Sequence, residues 1–530
     1  MLRIAIFAIL LFANSAQALL LLPFDSFGPG VEGGTEISAH DPISQRLFVT
    51  NSADNTLDIY NLGNPQQGVT LISSVDLSGF GGGPNSVAVS NGLVAVAIEA
   101  AVAQDAGLVA FFDSAGTPIT SIAAGALPDM VTFTPDGSKL LVANEGEPSD
   151  DYTVDPEGSV SVIDIVAGAP VGPARSIGFA DFNSGGPRAG ELPPGVRIFG
   201  PGASVAQDLE PEYITVTEDS GIAYVILQEN NALAVLDVAA ESILAIFALG
   251  SKDHSLPGNG MDASDDDSAI NIANWPVSGF YMPDAIATAN IDGQQYVFTA
   301  NEGDARDYDG FSEEDRVDDL VLDATVFPDA ATLQQDENLG RLTITTVNGD
   351  AGNDGDYEQI FSYGGRSFSI WDGATGALVY DSGDEFEQVT AQFGLPFFNL
   401  NDGRSDNKGP EPEGIDVARI GEQWLAFIGL ERTGGMFVYD VSNPLAPELV
   451  TYLQSPAGDV SPEGLLLIDA SDSPTGQPLL VVTNEVSGTV SLIGVRPAAS
   501  EVPAISHFGL LTLALLLLLV GGFIAARRQP

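Results

Sequence analysis

The chain has 530 residues, 44% of them hydrophobic, no cysteine, and 73 acidic against 18 basic side chains, for a formal charge of −55. Such a surface repels phosphate backbones and anionic bilayers, which argues against nucleic acid as a partner, and it favours solubility and cation binding. Without cysteine there is no disulfide framework, thiolate metal site or thiol nucleophile.

Residues 1–18 carry one positive charge at Arg3, an apolar core over 4–12 and a small-residue end at Ala16-Gln17-Ala18. That is the layout of a secretory signal peptide cleaved after Ala18, so export is expected. From Thr35 to Val495 one unit then recurs seven times. Its cleanest copy, residues 128–164, reads Pro128-Asp129 and an alternating strand, a Pro135-Asp136-Gly137 turn, a second strand closing on Asn144-Glu145, and a third over 160–164. Short alternating runs broken by Pro, Asp and Gly are half-buried antiparallel strands, and four-stranded repeats of roughly 40–50 residues are propeller blades. The opening pair recurs at Asn85, Glu212, Asp284, Glu413 and Glu463, each after a proline, with Thr35-Glu36 a weaker first copy. The second strand closes on Glu99, Glu145, Glu229, Glu302, Glu431 and Glu485. The predicted fold is therefore all-β: a seven-bladed β-propeller over 19–497. Its seventh blade lacks a fourth strand, which the apolar segment 19–24 is expected to supply, closing the ring.

Five long insertions interrupt the repeat: 145–157, 183–209, 251–276, 303–365 and 384–410. In an up-and-down blade all five leave from one face, while turns on the opposite face are short. Decoration of one face only marks it as the working side. The opening acids Asp129, Glu212, Asp284, Glu413 and Glu463 fall on this face near the axis, with Glu145, Glu302, Glu431 and Glu485 beside them. Clustered oxygens without thiolates or paired histidines suit Ca²⁺ before Mg²⁺. The competing reading is that these acids cap turns and fasten blade to blade. Further candidates are Glu147, Asp304 and Arg306, Glu411, and Arg432 beside Glu431. The run Asp350, Asp354 and Asp356 has the composition of a calcium loop without the spacing or closing glutamate, and 262–267 reads as a solvated acidic loop. Ten of the fifteen basic residues outside the termini, including Arg366 and Lys408, lie in or beside the insertions. They could hold an anionic group such as phosphate or simply neutralise neighbouring acids. No P-loop, Gly-x-Ser-x-Gly elbow, nucleotide or haem signature is present, and a Ser-His-Asp triad could draw only on His254.

The other end carries an apolar run over 508–526 followed by Arg527-Arg528. Nineteen residues at ~1.5 Å each give about 28 Å, enough to cross a bilayer core, with the basic pair holding the terminus inside. The preceding Val502-Pro503-Ala504-Ile505-Ser506-His507-Phe508-Gly509 resembles the IPTL-type sorting signal of Gram-negative bacteria. That resemblance implies processing by an exosortase-type enzyme within 498–530; a plain membrane anchor is the alternative.

Five motifs in order, Ala143-Asn144-Glu145-Gly146-Glu147, Pro283-Asp284-Ala285-Ile286-Ala287, Ala300-Asn301-Glu302-Gly303-Asp304-Ala305-Arg306, Gly364-Gly365-Arg366-Ser367-Phe368-Ser369-Ile370 and Gly409-Pro410-Glu411-Pro412-Glu413-Gly414, resemble the choice-of-anchor I family of surface propellers. The resemblance implies surface display with an unknown extracellular ligand. Some relatives carry an alkaline-phosphatase label. Two functions are thus expected. One is a binding module acting through an acidic, calcium-loaded face. The other is a metal-dependent phosphoric ester hydrolase using Glu302, Asp304 and Glu431, with Arg306 and Arg432 as phosphate clamps.

Overall fold

The computed structural model describes residues 19–497, which form seven four-stranded antiparallel sheets. Their first strands are Ser38–Asp41, Pro84–Ser90, Pro128–Phe133, Pro211–Val216, Ile286–Ile291, Pro412–Ile420 and Pro462–Ile468. Each touches the next, and the seventh touches the first, so the sheets radiate from a common axis in a propeller arrangement.

Burial follows from that arrangement. Second strands are covered on both faces by neighbouring sheets, and all six residues of Leu93–Ile98 and of Leu479–Asn484 are buried. Outer strands such as Thr70–Asp76 meet solvent and keep the polar alternation of a half-exposed strand. Each core is the seam between two sheets. One seam, for example, packs Leu141, Val160 and Val162 against Ala223, Val225 and Leu227.

The segment expected to close the ring does so. Leu19–Phe27 lies beside Thr489–Pro497, giving the seventh sheet an outermost strand from the start of the chain. Phe24 and Phe27 pack on the Leu47, Val49 and Leu492 cluster, and the Phe27 ring lies 4.9 Å from that of Tyr60.

The insertions are more ordered than their composition suggested. Segments of 251–280 and 303–365 build a separate five-stranded sheet from Ser251–Asp253, Ser278–Phe280, Phe361–Ser362, Thr343–Thr345 and Glu314–Arg316. It has a core of its own, including Met261, Val317, Leu339, Leu342 and Ile344. The stretch 262–267 is not a solvated loop throughout. Asp262 is buried and accepts from the backbone N–H of Asn271 at 2.8 Å, while its own N–H donates to Glu387 at 2.7 Å.

Among the described residues no helix is long and apolar enough to cross a membrane. The expected signal peptide (1–18) and the sorting motif and helix (498–530) lie outside the described residues.

Candidate functional site

The acids reach the axis through a repeated backbone device. In the third, fourth, sixth and seventh sheets the register slips just after the opening proline, between Pro128 and Val131, Pro211 and Ile214, Pro412 and Ile415, and Pro462 and Leu465. Proline offers no N–H to the ladder, and a bulge beside it re-aims the following residue. The side chains so turned are Asp129, Glu212, Glu413 and Glu463. Before the proline of the third, sixth and seventh sheets stand Leu127, Glu411 and Ser461, all with positive φ (45°, 52° and 62°), as has Met282 before Pro283 at the fifth (41°). The carbonyls of three of them accept from the glutamate that follows the second strand: Leu127 from Glu145 (3.0 Å), Glu411 from Glu431 (2.7 Å) and Ser461 from Glu485 (2.9 Å). Opening acid and closing acid are thereby fixed to one another within a sheet.

Together these residues surround an axial cavity of about 340 Å³. One polar side chain comes from each sheet (Glu36, Asn85, Asp129, Glu212, Asp284, Glu413 and Glu463), and Glu302, Asp304 and Lys408 complete the wall. Six of the seven ring positions are therefore carboxylic acids.

Crowded acids cut off from bulk water resist ionisation. Burial, reinforced by neighbouring carboxylates, pushes Glu36 and Asp129 up to about 7, and Glu212, Asp284, Glu413 and Glu463 well above the usual carboxylate range. Burial also raises Glu431, to about 8, and holds Glu145, beside Asp129, well above the usual carboxylate range. Glu302 is raised less. Burial acts on it in the same way, but Lys408 opposes it, donating to its Oε1 at 2.8 Å.

One group converges tightly enough for a metal ion. An oxygen from each of Glu302, Glu413 and Glu431 lies within 4.8 Å of the others. Glu302 also accepts from Gln228 (3.2 Å), and Glu431 pairs with Arg432 (2.9 Å), whereas the buried Oε2 of Glu413 has no hydrogen-bond partner among the described residues. An all-oxygen set with a free carboxylate lone pair suits a hard cation such as Ca²⁺.

The remaining candidates are distributed elsewhere. Glu147 accepts from the Tyr308 hydroxyl at 3.0 Å, off the cavity wall. Glu411 is buried among Arg404 (2.5 Å), Arg432 (3.4 Å) and Lys408 (3.9 Å). Glu485 stands behind Glu463 and Glu36, adding to the charge that raises both. In the acidic run, Asp350 caps its own loop, accepting from the N–H groups of Asp354 (3.2 Å) and Gly355 (3.0 Å). Asp356 instead joins Asp323 and Glu358, an acid pair the sequence did not single out, in a second, surface group.

The arginines are engaged in pairs. Arg306 is fully buried, donating to Asp208 and pairing with Glu210 at 2.9 Å, with its guanidinium 4.5 Å from the centre of the Phe199 ring. Arg366 pairs with Glu387 (2.8 Å) and donates to the carbonyls of Asp262, Ser405 and Asn407. His254 is buried, donates through Nδ1 to the Asn259 carbonyl (2.8 Å), and is held neutral, its pKa lowered to about 3 by burial and by Lys252 and Arg366.

A second repeated device went unnoticed. The asparagine before the closing glutamate is buried and bridges to a hydroxyl pair on the third strand: Asn144 to Ser161, Asn301 to Ser367 and Ser369, Asn484 to Ser491, all at 2.8–3.1 Å. The signal was a Ser/Thr-x-Ser at 159–161, 367–369 and 489–491, which repeats in phase with Asn-Glu.

A propeller-type body with an acid-lined axis and insertions gathered over one face is the class that fold and site define. The choice-of-anchor I domain profile matches residues 36–444, and the chain belongs to that family. Gigasin-3a of Magallana gigas is 35% identical over 199 residues, covering 32% of this chain and 70% of that protein. The mesenchyme-specific cell surface glycoprotein of Strongylocentrotus purpuratus is 29% identical over 300 residues, 48% of this chain and 37% of that one. Among solved structures, the chain resembles Kuenenia stuttgartiensis hydrazine synthase (TM-score 0.45, 14% identity, 87% and 95% of the two chains). It also resembles the Cps50 (Swd1) β-propeller domain of Myceliophteria thermophila (TM-score 0.46, 9%, 90% and 100%).

Proposed function

We propose that the chain is an exported, seven-bladed surface propeller of a Gram-negative bacterium that binds an extracellular ligand through its acidic face, with Ca²⁺ held by Glu302, Glu413 and Glu431. Residues 508–526 would anchor it to the membrane until an exosortase-type enzyme processes the 502–509 signal. The observation that carries the calcium reading is the convergence of three carboxylates within 4.8 Å, one of them with an unpartnered buried oxygen. The printed name of the sea-urchin relative, a cell surface glycoprotein, supports the location.

The hydrolase reading finds less support. The guanidinium groups it needs are engaged, Arg306 by Asp208 and Glu210 and Arg432 by Glu431 and Glu411. Calorimetric titration of Ca²⁺ into metal-stripped protein tests the proposal. Binding at one site, lost in Glu431→Gln and in Glu413→Gln, is expected; unchanged binding in both variants would remove the assigned site.

A further inference from the structure

Charge is spread unevenly over the sheets. Between Leu62 and Pro128 the charged residues are Asp76, Glu99, Asp105 and Asp113, where the chain's 17% would give about eleven. That span holds the outer strand of the first sheet, Thr70–Asp76, and the whole of the second, which ends in Pro118–Ala126. The two outer strands form one flank. Gly116, in the turn before Pro118–Ala126, packs on Val75 so closely that a Cβ there would lie 2.6 Å from the valine Cγ2. Leu71, Ile72 and Ile119 stand about half exposed on this flank.

An outer strand carries a row of unpaired backbone groups, and proteins blunt such edges with proline, charge, short length or cover. Five of the seven edges are blunted in these ways. Leu19–Phe27 carries Pro23 and Asp25. Ala169–Gly178 holds Pro170 and Pro173, and its Arg175 pairs with Asp164 and Glu241. On Ser242–Ala248 the carbonyls of Ile243 and Leu244 accept from Arg188 at 2.6 and 3.2 Å. Leu378–Asp381 is four residues long. Glu448–Leu453 opens on a glutamate, and Phe393 covers its Tyr452 with ring centres 5.5 Å apart. By contrast, Thr70–Asp76 is charged at its last residue alone, and Pro118–Ala126 nowhere. Among the described residues, the backbone of 118–124 pairs with its own neighbour Ala106–Asp113 and with no other segment. The register on that neighbour slips at both ends, leaving Thr120–Ala123 as the regular stretch, and all of it but Ile122 is exposed.

Charge decides what can occupy this edge. Two copies at −55 each repel wherever acid meets acid, and the repulsion is weakest across a flank where acids are scarce. We infer that this flank is a self-association surface: the Pro118–Ala126 edge of one copy adds antiparallel to the same edge of a second, with Leu71, Ile72 and Ile119 covering the seam. Pairing an edge with its own copy is isologous and closes after two chains. Nine residues at ~3.3 Å each give a seam of about 30 Å. The surface is separate from the axial acids and stands whether or not they hold calcium.

The test is light scattering on the full chain over a range of concentrations, at about 50 mM and about 500 mM NaCl. The mass should rise from one chain to two, and the association should tighten at high salt, where the repulsion is screened. Ile119→Glu and Ser121→Glu lie at exposed positions, so each should melt with the unaltered protein. Each should weaken the dimer roughly tenfold, because a symmetric seam meets every like-charge penalty twice. Leu244→Glu, on the edge capped by Arg188, should leave the dimer unchanged. The chain has no cysteine, so a short bis-maleimide should bridge Ser121→Cys into a covalent dimer and leave Leu244→Cys as single chains. A single-chain mass at every concentration and both salts would overturn the inference. So would association that weakens with salt, or a dimer indifferent to both glutamate variants.

Discussion

Raising the pH should destabilise the metal-free protein across a range where most proteins change little, and calcium should cancel the effect. Burial pushes Glu36, Asp129 and Glu229 up to about 7 and Glu431 up to about 8. A folded pKa above the unfolded value means that the native state holds more protons between the two. The stability from this source is fully present below roughly pH 4 and is lost as the pH climbs through 7 and 8. Each unit is worth about 1.4 kcal/mol, so a shift of two to three units costs roughly 3–4 kcal/mol for one isolated site. Neighbouring acids share protons and do not add, which leaves a combined loss on the order of 5 kcal/mol. For a body this large, about 1–2 °C per kcal/mol gives a fall in Tm of roughly 5–10 °C. The assay is differential scanning calorimetry in chelator at pH 5 and pH 8, repeated in calcium. Calcium takes only deprotonated ligands, so it should restore the Tm at pH 8 and do little at pH 5. A Tm in chelator that is equal or higher at pH 8, or calcium stabilisation of the same size at pH 5, would refute the reasoning.

Three structural variants extend these tests. Arg306→Ala leaves Asp208 and Glu210 buried without their cation; about 3–5 kcal/mol should be lost in chemical denaturation, and a loss below about 1 kcal/mol would contradict the buried pairing. Asn144→Ala removes donations to the Ser159 carbonyl and Ser161 hydroxyl and the acceptor of the Gly125 N–H, all at 2.9–3.0 Å, which should cost roughly 2–3 kcal/mol by the same measurement; an unchanged midpoint would show that the bridge does not contribute. Deleting residues 19–27 bares the Thr489–Pro497 edge and should produce self-association by size-exclusion chromatography together with a lower Tm; a monomer with an unaltered melt would mean the closing strand is dispensable.

The ring was legible in the sequence because its signals are local and repeated. A proline that cannot join the ladder, an acid behind it and an Asn-Glu at the next strand end recur in one order, and the backbone devices they encode place the side chains with little help from the rest of the chain. The second layer was not legible. Its strands are two or three residues long, such as Phe361–Ser362 and Thr343–Thr345, too short for any period to register. The arginine partners were hidden for another reason. Arg306 meets Asp208 across 98 residues and Arg197 meets Glu313 across 116, so each pair exists only after two insertions have come together. The sequence therefore placed Arg306 beside Glu302, its neighbour along the chain, whereas in space its partners come from the 183–209 segment and the entry to the fourth sheet.

Where the few positive charges go explains why the axis stays acidic. Arg197, Arg306, Arg366 and Lys252 are each buried and paired, to Glu313, to Asp208 and Glu210, to Glu387 and to Asp381. Buried pairs of this kind contribute little net stability, since desolvation offsets most of the Coulomb attraction, but each leaves a severe penalty for any arrangement that separates the partners. They fix how the insertions lie on one another. That use consumes the cations that could have neutralised the ring, and among the described residues Lys408 is the one basic side chain that lines the cavity, against eight carboxylic acids. The excess has two outlets, protonation or a cation from outside, and the raised pKa values put the choice between them near neutral pH. A ring built only to fasten blades together would gain from a lysine at the Asn85 position or from hydrogen bonds to every carboxylate oxygen. Instead Asn85 is neutral, Glu212 finds its partner in another acid, Asp284, and Glu413 holds an oxygen that nothing among the described residues satisfies. The closing glutamates Glu145, Glu431 and Glu485 fix the turn through their backbone N–H groups, so that role does not depend on their side chains.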